Sequence, residues 1–368
     1  MKYLAAIFLA TAAAAPAAQQ ASPAAAPAPS AAFNAAEARQ AVETLATRLE
    51  ADFVFPETGQ SYAKMLRKNL ASGAYDAFPD ARAFADKVTE DLRAIYYDGH
   101  LRLRPPPAPD AAPAGQQARR GSPPVGIQKA GWIAPDIAYI SFDAFQGDEP
   151  TLARLRQFLT DHGGAKTLIV DARAHRGGGL NEMDVLFPAL YAKPTTLVQM
   201  DTRLAVEQAS RGALQDGPNL KRIAGPDTVV RREHKVVPAG QASGLRTAKV
   251  YLLVSPRTAS AGEHLALSLK RTGRATLIGE TTAGAGHFGN DADLGGGYRA
   301  FIPVGRTFDP ETGEGWEGIG VAPDVEVPAE QALIETLVRS GVARADAERL
   351  SKEFGPSTPM TRIAPLRK

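Results

Sequence analysis

The chain has no cysteine. Disulfides, thiolate metal sites, iron–sulfur clusters and a thiol nucleophile are therefore excluded, although no compartment is identified by that fact alone. An excess of one charge is also missing: 42 lysines and arginines face 40 aspartates and glutamates, for a net +2. With no basic stripe interleaved with aromatics, nucleic acid is not an expected partner. Past the N-terminus no apolar run approaches the roughly 20 residues that cross a bilayer. Glycine and proline, by contrast, are plentiful at 34 and 28 residues, which predicts many turns and at least one structureless segment. At 368 residues, about two domains are expected.

The first residues read as a leader. Lys2 supplies a short positive region, Tyr3 to Ala15 an apolar stretch too short to span comfortably, and Ala13 to Ala18 several small-residue cleavage options. Residues 1–20 are expected to be a signal peptide. The Ala/Pro-rich residues 21–32 are expected to be a tether, uncharged and unable to form a core. The mature protein is expected to be exported, periplasmic or secreted, with no membrane span after cleavage.

Residues 33–103 have helical texture. Asn34 and Glu37 are spaced as a capping box, and Ala41, Val42, Leu45 and Leu49 follow at helical intervals. Tyr62, Met65, Leu66 and Leu70 mark a second helix; Phe84, Val88, Leu92 and Ile95 mark a third. The Pro-rich residues 104–124 read as a linker. From 125 to 355 strands and helices alternate. Ile137–Phe142, Ala165–Asp171, Lys249–Val254 and Ala275–Gly279 are strands, with helices over Leu152–Leu159, Met183–Leu190 and Ala261–Thr272. The non-alternating apolar runs argue for a largely parallel, two-side-buried sheet. Thr195–Arg203 and Thr228–Val237 read as two exposed strands of an arm. Ala329 to about Phe354 reads as helical, and 356–368 as a C-terminal tail.

Four segments could carry chemistry. Ser260 lies between a buried strand and a helix, in Ser255-Pro-Arg-Thr-Ala-Ser260-Ala-Gly-Glu263-His264. There the helix N-terminus favours negative charge, which suits a nucleophile whose reaction passes through an oxyanion. Ser260-x-x-Glu263 is equally a capping box. The second segment runs from the strand end Asp171-Ala-Arg173 through His175 into Gly177-Gly178-Gly179, whose amides can face a ligand without side chains in the way. It lacks the Gly-Lys-Ser/Thr ending of a nucleotide loop. The third element is a base, for which His100, His175, His264 and His287 all compete. His264, four residues past Ser260, points along the helix and ranks lower. The fourth is Glu317, in Gly315-Trp316-Glu317-Gly318, which could orient a base or simply sit in a turn.

Taken in order, these segments resemble the S41 family of serine peptidases, which includes C-terminal-processing proteases, the tricorn core and interphotoreceptor retinoid-binding proteins. The resemblance spans about Phe33 to Glu330 and rests on Asp98-Gly-His-Leu, Asp171-x-Arg before the glycine turn, Thr258-Ala-Ser-Ala-Gly-Glu, Gly279-Glu-Thr-Thr-x-Gly and Trp316-Glu-Gly-x-Gly-Val-x-Pro-Asp. It implies an α/β fold: a ClpP/crotonase-like catalytic core with a small N-terminal helical domain. The lysine base of the processing branch is replaced here by Ala285, and residues 104–124 leave no room for a PDZ domain. Both departures point to the branch in which a histidine and a glutamate complete the site. The resemblance thus implies Ser260 as nucleophile, His100 as base and Glu317 as its orienting carboxylate. Backbone amides of Gly177 or Gly178 and of Ala261 would hold the oxyanion. No metal or organic cofactor is called for. The expected partner is a polypeptide or oligopeptide substrate, cleaved as an endopeptidase would. An esterase using the same site, or a non-catalytic binder of an apolar ligand or peptide, are the alternatives.

Overall fold

The computed structural model describes residues 30–108, 126–238, 243–356, 358 and 360–362. The expected signal peptide, most of the tether, most of the linker and the last residues of the tail lie outside these.

Three helices open the described chain: α1 (Ala35–Asp52), α2 (Pro56–Ala71) and α3 (Ala81–Ile95). Asn34 caps α1, its side chain accepting from the Ala36 and Glu37 amides, and Asp80 caps α3 through Ala83. Their apolar faces do not close on one another alone. The shared core also takes in Leu294, Tyr298, Ala300, Ile302 and Val304 from much later in the chain.

Those later residues belong to an antiparallel sheet. Its strands are β1 (Leu103–Arg104), β5 (Thr195–Arg203), β6 (Leu220–Ile223), β7 (Val229–Val236), β10 (His287–Gly295) and β11 (Tyr298–Phe308). They run in the order β1-β11-β5-β7-β6, with β10 also paired to β11. The expected exposed arm is corrected here. β5 and β7 do pair, but β5 is also bonded to β11, and Val198, Met200 and Val236 are buried. The intervening loop carries its own helix, α6 (Leu204–Gln208).

The second sheet meets the reading of the apolar runs. Strands β2 (Ile127–Ala134), β3 (Ile137–Phe142), β4 (Thr167–Asp171), β8 (Lys249–Val254), β9 (Thr276–Gly279) and β12 (Val325–Glu326) lie in the order β12-β9-β8-β4-β3-β2. Every pair is parallel except β2 with β3. One face packs on α4 (Glu149–Asp161), α5 (Asn181–Leu190) and α7 (Ala261–Arg271), the other on α8 (Ala332–Arg339) and α9 (Arg344–Phe354). The expected continuous C-terminal helix is broken at Gly341, whose φ of 92° no helix residue adopts. Among the described residues no helix is long and apolar enough to cross a membrane.

Candidate active site

Ser260 sits where β8 turns into α7, with φ 54° and ψ −115°. This left-handed backbone is costly for a non-glycine residue and is held by its surroundings. Ser255 Oγ donates to the Arg173 carbonyl and Thr258 Oγ1 to the Ala172 carbonyl at 2.8 Å, while the Ala259 N–H donates to the His175 carbonyl at 2.9 Å. The serine turn is thereby stitched to the end of β4. The Asp171-x-Arg motif is part of the same frame. Arg173, fully buried, grips Asp171 through Nε and Nη2 and donates Nη1 to the Ala329 carbonyl at 2.8 Å.

Glu263 fixes the serine from the other side. It is completely buried, and its Oε2 accepts from the Ser260 N–H and the Ala285 N–H, both at 2.9 Å. Oε1 accepts from Thr282 Oγ1 and the Gly284 N–H, both at 2.6 Å. Burial pushes this carboxyl up to about 7, against the four donors that favour its charge. Its role is structural: it ties the helix start to the 282–285 loop.

The glycine turn presses on the serine. A Cβ on Gly177 would come 2.9 Å from Ser260 Cβ, and one on Gly178 would overlap the Phe145 carbonyl at 1.9 Å; both residues have positive φ. The Gly177 N–H donates to His175 Nδ1 at 3.1 Å. No acceptor among the described residues takes the Gly178 or Ala261 N–H. Both residues line, with Ser260, a cavity of about 600 Å³. His175 is enclosed completely, and burial pushes its imidazole down to about 3.

The acid–base groups come from three distant segments. Glu317 Oε1 accepts from the Gly99 N–H at 2.6 Å; its Oε2 accepts from the Gly286 and His287 N–H groups at 2.5 and 2.9 Å. Asp98 Oδ1 accepts from the His100 and Leu101 N–H groups, both at 2.9 Å, and its Oδ2 lies 2.7 Å from His287 Nδ1. One side-chain atom each of Asp98, His100 and Glu317 falls within 4.8 Å of the others. These atoms are close enough together to face a metal ion, and the carboxylate oxygens also accept hydrogen bonds from the protein. Burial and the neighbouring Asp98 charge push the Glu317 carboxyl up. For Asp98 burial works against the charge, yet His287 and the Leu101 amide outweigh it and the carboxyl lies below its usual range. Burial also pushes the His100 imidazole below 6.5. The His100 ring stacks on Phe301, its centroid 5.0 Å away, and its buried Nδ1 has no hydrogen-bond partner among the described residues.

Sequence reasoning left one pairing unseen. His287, one of the four competing histidines, lines the cavity together with Ser260, whereas His100 does not. His287 and Asp98 are 189 positions apart, so no local spacing announces their contact. No hydrogen bond among the described residues joins Ser260 to either histidine. His264, four residues past Ser260, also lines the cavity, and its Nε2 lies 2.8 Å from His234 Nδ1.

Comparison with known proteins fits this architecture. Residues 136–327 match peptidase family S41, and residues 32–130 match the N-terminal domain of peptidase S41 in eukaryotic interphotoreceptor retinoid-binding protein. Among solved structures the chain is similar to the photosystem II D1 C-terminal processing protease, with 18% identity, a TM-score of 0.52 and coverage of 85% of this chain and 98% of that one. It is similar to a protein from Parabacteroides merdae described as a candidate peptidase, with 15% identity, a TM-score of 0.57 and coverage of 84% and 98%. Tricorn protease aligns at 13% identity and a TM-score of 0.50, over 86% of this chain but 37% of its own. At such identities these likenesses speak for the fold alone. The family match, spanning more than half of the chain, supplies the rest: the chain belongs to peptidase family S41 and is a serine-type peptidase.

Proposed function

We propose that the protein is an exported serine endopeptidase acting on polypeptides or oligopeptides through Ser260, His100 and Glu317. The observation that carries this reading is the Ser260 geometry. A strained serine at a helix start shares a cavity with two unclaimed amides, those of Gly178 and Ala261. A carbonyl attacked by Ser260 Oγ would place its developing oxyanion toward these amides. The Gly177 N–H, engaged by His175, would then support the turn.

In this reading neutral His100 takes the Ser260 proton and later returns it to the leaving amine. Glu317 stabilises the imidazolium that forms, and supporting this is their approach within 4.8 Å. Transfer needs hydrogen-bond reach, so His100 must close on Ser260 when substrate seats, as is common where unliganded sites are loose. Export rests on the leader-like residues 1–20.

A second reading of the base has its own observation. Asp98 holds His287 Nδ1 at 2.7 Å, and His287 lines the Ser260 cavity, an Asp–His arrangement that could serve the same serine. Fluorophosphonate labelling rates separate the two. His100→Ala should slow labelling of Ser260 by about 10³-fold or more, with His287→Ala retaining a larger share. The reverse order would assign the base to His287. With His100 as base, the acid limb of kcat/KM should have its midpoint below 6.5, since activity needs the neutral ring and burial lowers its pKa; a midpoint above 7 would count against it. Absence of any labelling would favour the ligand-binding alternative. Turnover of esters but of no peptide would favour the esterase.

A further inference from the structure

Apart from the groups assigned to catalysis, the cavity beside Ser260 has a distinctive charge pattern. Among the described residues Asp184, in the first turn of α5, is the only carboxylate lining it, and neither lysine nor arginine does so. Its Oδ1 lies 3.1 Å from His234 Nε2, and His234 Nδ1 lies 2.8 Å from His264 Nε2. An ionised carboxylate only accepts, so His234 carries a proton on Nε2; with both rings neutral, it accepts at Nδ1 from His264. Among the described residues no lysine or arginine lies within ion-pair distance of Asp184, and its Oδ2 makes no hydrogen bond. The N-terminal position in α5 favours its charge. The result is a fixed anion, about one-third exposed, oriented from behind by a buried imidazole. Leu180, Met200, Leu214 and Leu220 give the same cavity an apolar wall.

We propose that this cavity receives a cationic side chain, lysine or arginine, of a polypeptide substrate, with Asp184 as its counter-ion. The inference rests on the peptidase reading and gives it a substrate class. A long aliphatic stem would lie on the apolar wall while its charged head reaches Asp184. An acidic side chain would face a like charge and be rejected. His234, which does not line the cavity, is a positioning residue that orients the carboxylate, and His264, part of the lining, holds His234 in turn.

The test uses the full chain at pH 8, where an ordinary imidazole is neutral. Fluorogenic peptides would differ only in the residue on the acyl side of the scissile bond: Arg, Lys, Leu, Ala or Glu. The expected kcat/KM for Arg and Lys exceeds that for Leu by at least about 30-fold, and Asp184→Asn collapses that ratio while retaining the His234 contact. Asp184→Lys should turn the preference toward Glu. Equal or greater turnover of Leu, or an Arg-to-Leu ratio unmoved by Asp184→Asn, overturns the proposal. Fluorophosphonate labelling of Ser260 separates the two failures: a labelled enzyme without cationic preference sinks this inference alone. Should no peptide be cleaved, calorimetric binding of the Arg and Leu peptides to Ser260→Ala protein tests the same site without turnover. Tighter Arg binding that Asp184→Asn abolishes supports the site, and equal binding refutes it.

Discussion

The two halves of the site are held by different means. The serine half is local. Ser260, Ala261 and Glu263 occupy one helix start, and the Gly177–Gly178 turn reaches them across the adjacent parallel strands β4 and β8. The acid–base half is assembled from afar: Gly99 and His100 follow the helices, Gly286 precedes β10 and His287 begins it, and Glu317 lies beyond β11. In the first half, side chains and backbone of one sheet end hold a strained serine. In the second, the Asp98 and Glu317 carboxylates collect backbone amides from two segments, 99–101 and 286–287. Rigidity near Ser260 thus comes from sheet register, whereas the placement of His100 depends on packing between the helices and the antiparallel sheet.

The largest expected effect strikes the serine half. Ser260→Ala should lower kcat by at least about 10⁴-fold and abolish fluorophosphonate labelling, with the thermal melt little changed. Persistent labelling would move the nucleophile elsewhere. In the distant half, Glu317→Gln should lower kcat/KM by about 10²–10⁴-fold, because the imidazolium loses its counter-charge. It should also lower stability, since an amide cannot accept at both ends as this carboxylate does. An unchanged kcat/KM would leave Glu317 a purely structural residue.

Glu263→Gln sharpens the contrast from the side of stability. Its amide would face buried N–H donors, at about 1–3 kcal/mol for each left unsatisfied. Chemical denaturation should show that loss; a neutral result would mean that the 282–285 loop rearranges easily. The last contrast is pH-dependent. His175 is pushed down to about 3 by burial, so the unfolded chain binds its proton first as pH falls below 6.5, and stability drops by about 1.4 kcal/mol per unit until about 3. Glu263, pushed up to about 7, acts oppositely: its folded form binds the proton first, so stability rises as pH falls from 7 to about 4.5. Between about 4.5 and 6.5 the two slopes offset each other. Denaturation midpoints in Glu263→Gln protein should therefore begin to fall near 6.5, sooner than in the parent chain. Identical acid limbs would show that these two groups do not govern them.

The same division explains what could be read beforehand. The parallel strands declared themselves as apolar runs, and Ser260 as a small-residue turn between strand and helix. The antiparallel strands β10 and β11 did not. His287–Gly295 is rich in glycine and aspartate, and Pro303 and Gly305 interrupt β11. A signal was present in β11 all the same: Tyr298, Ala300, Ile302 and Val304 alternate along the strand and are buried against the helices.

By itself the sequence determined the local chemistry: an exclusion of thiol chemistry, the serine at a helix start, the glycine turn, the capped helices and the buried strands. Each depends on neighbours within a few residues, where backbone periodicity and capping operate. Only the tertiary structure decided that Asp98 holds His287 and that His287 and Asp184 share the cavity with Ser260. Those contacts join segments up to 189 positions apart, and what places them is sheet pairing and the burial of shared faces, neither of which leaves a fixed spacing in the chain.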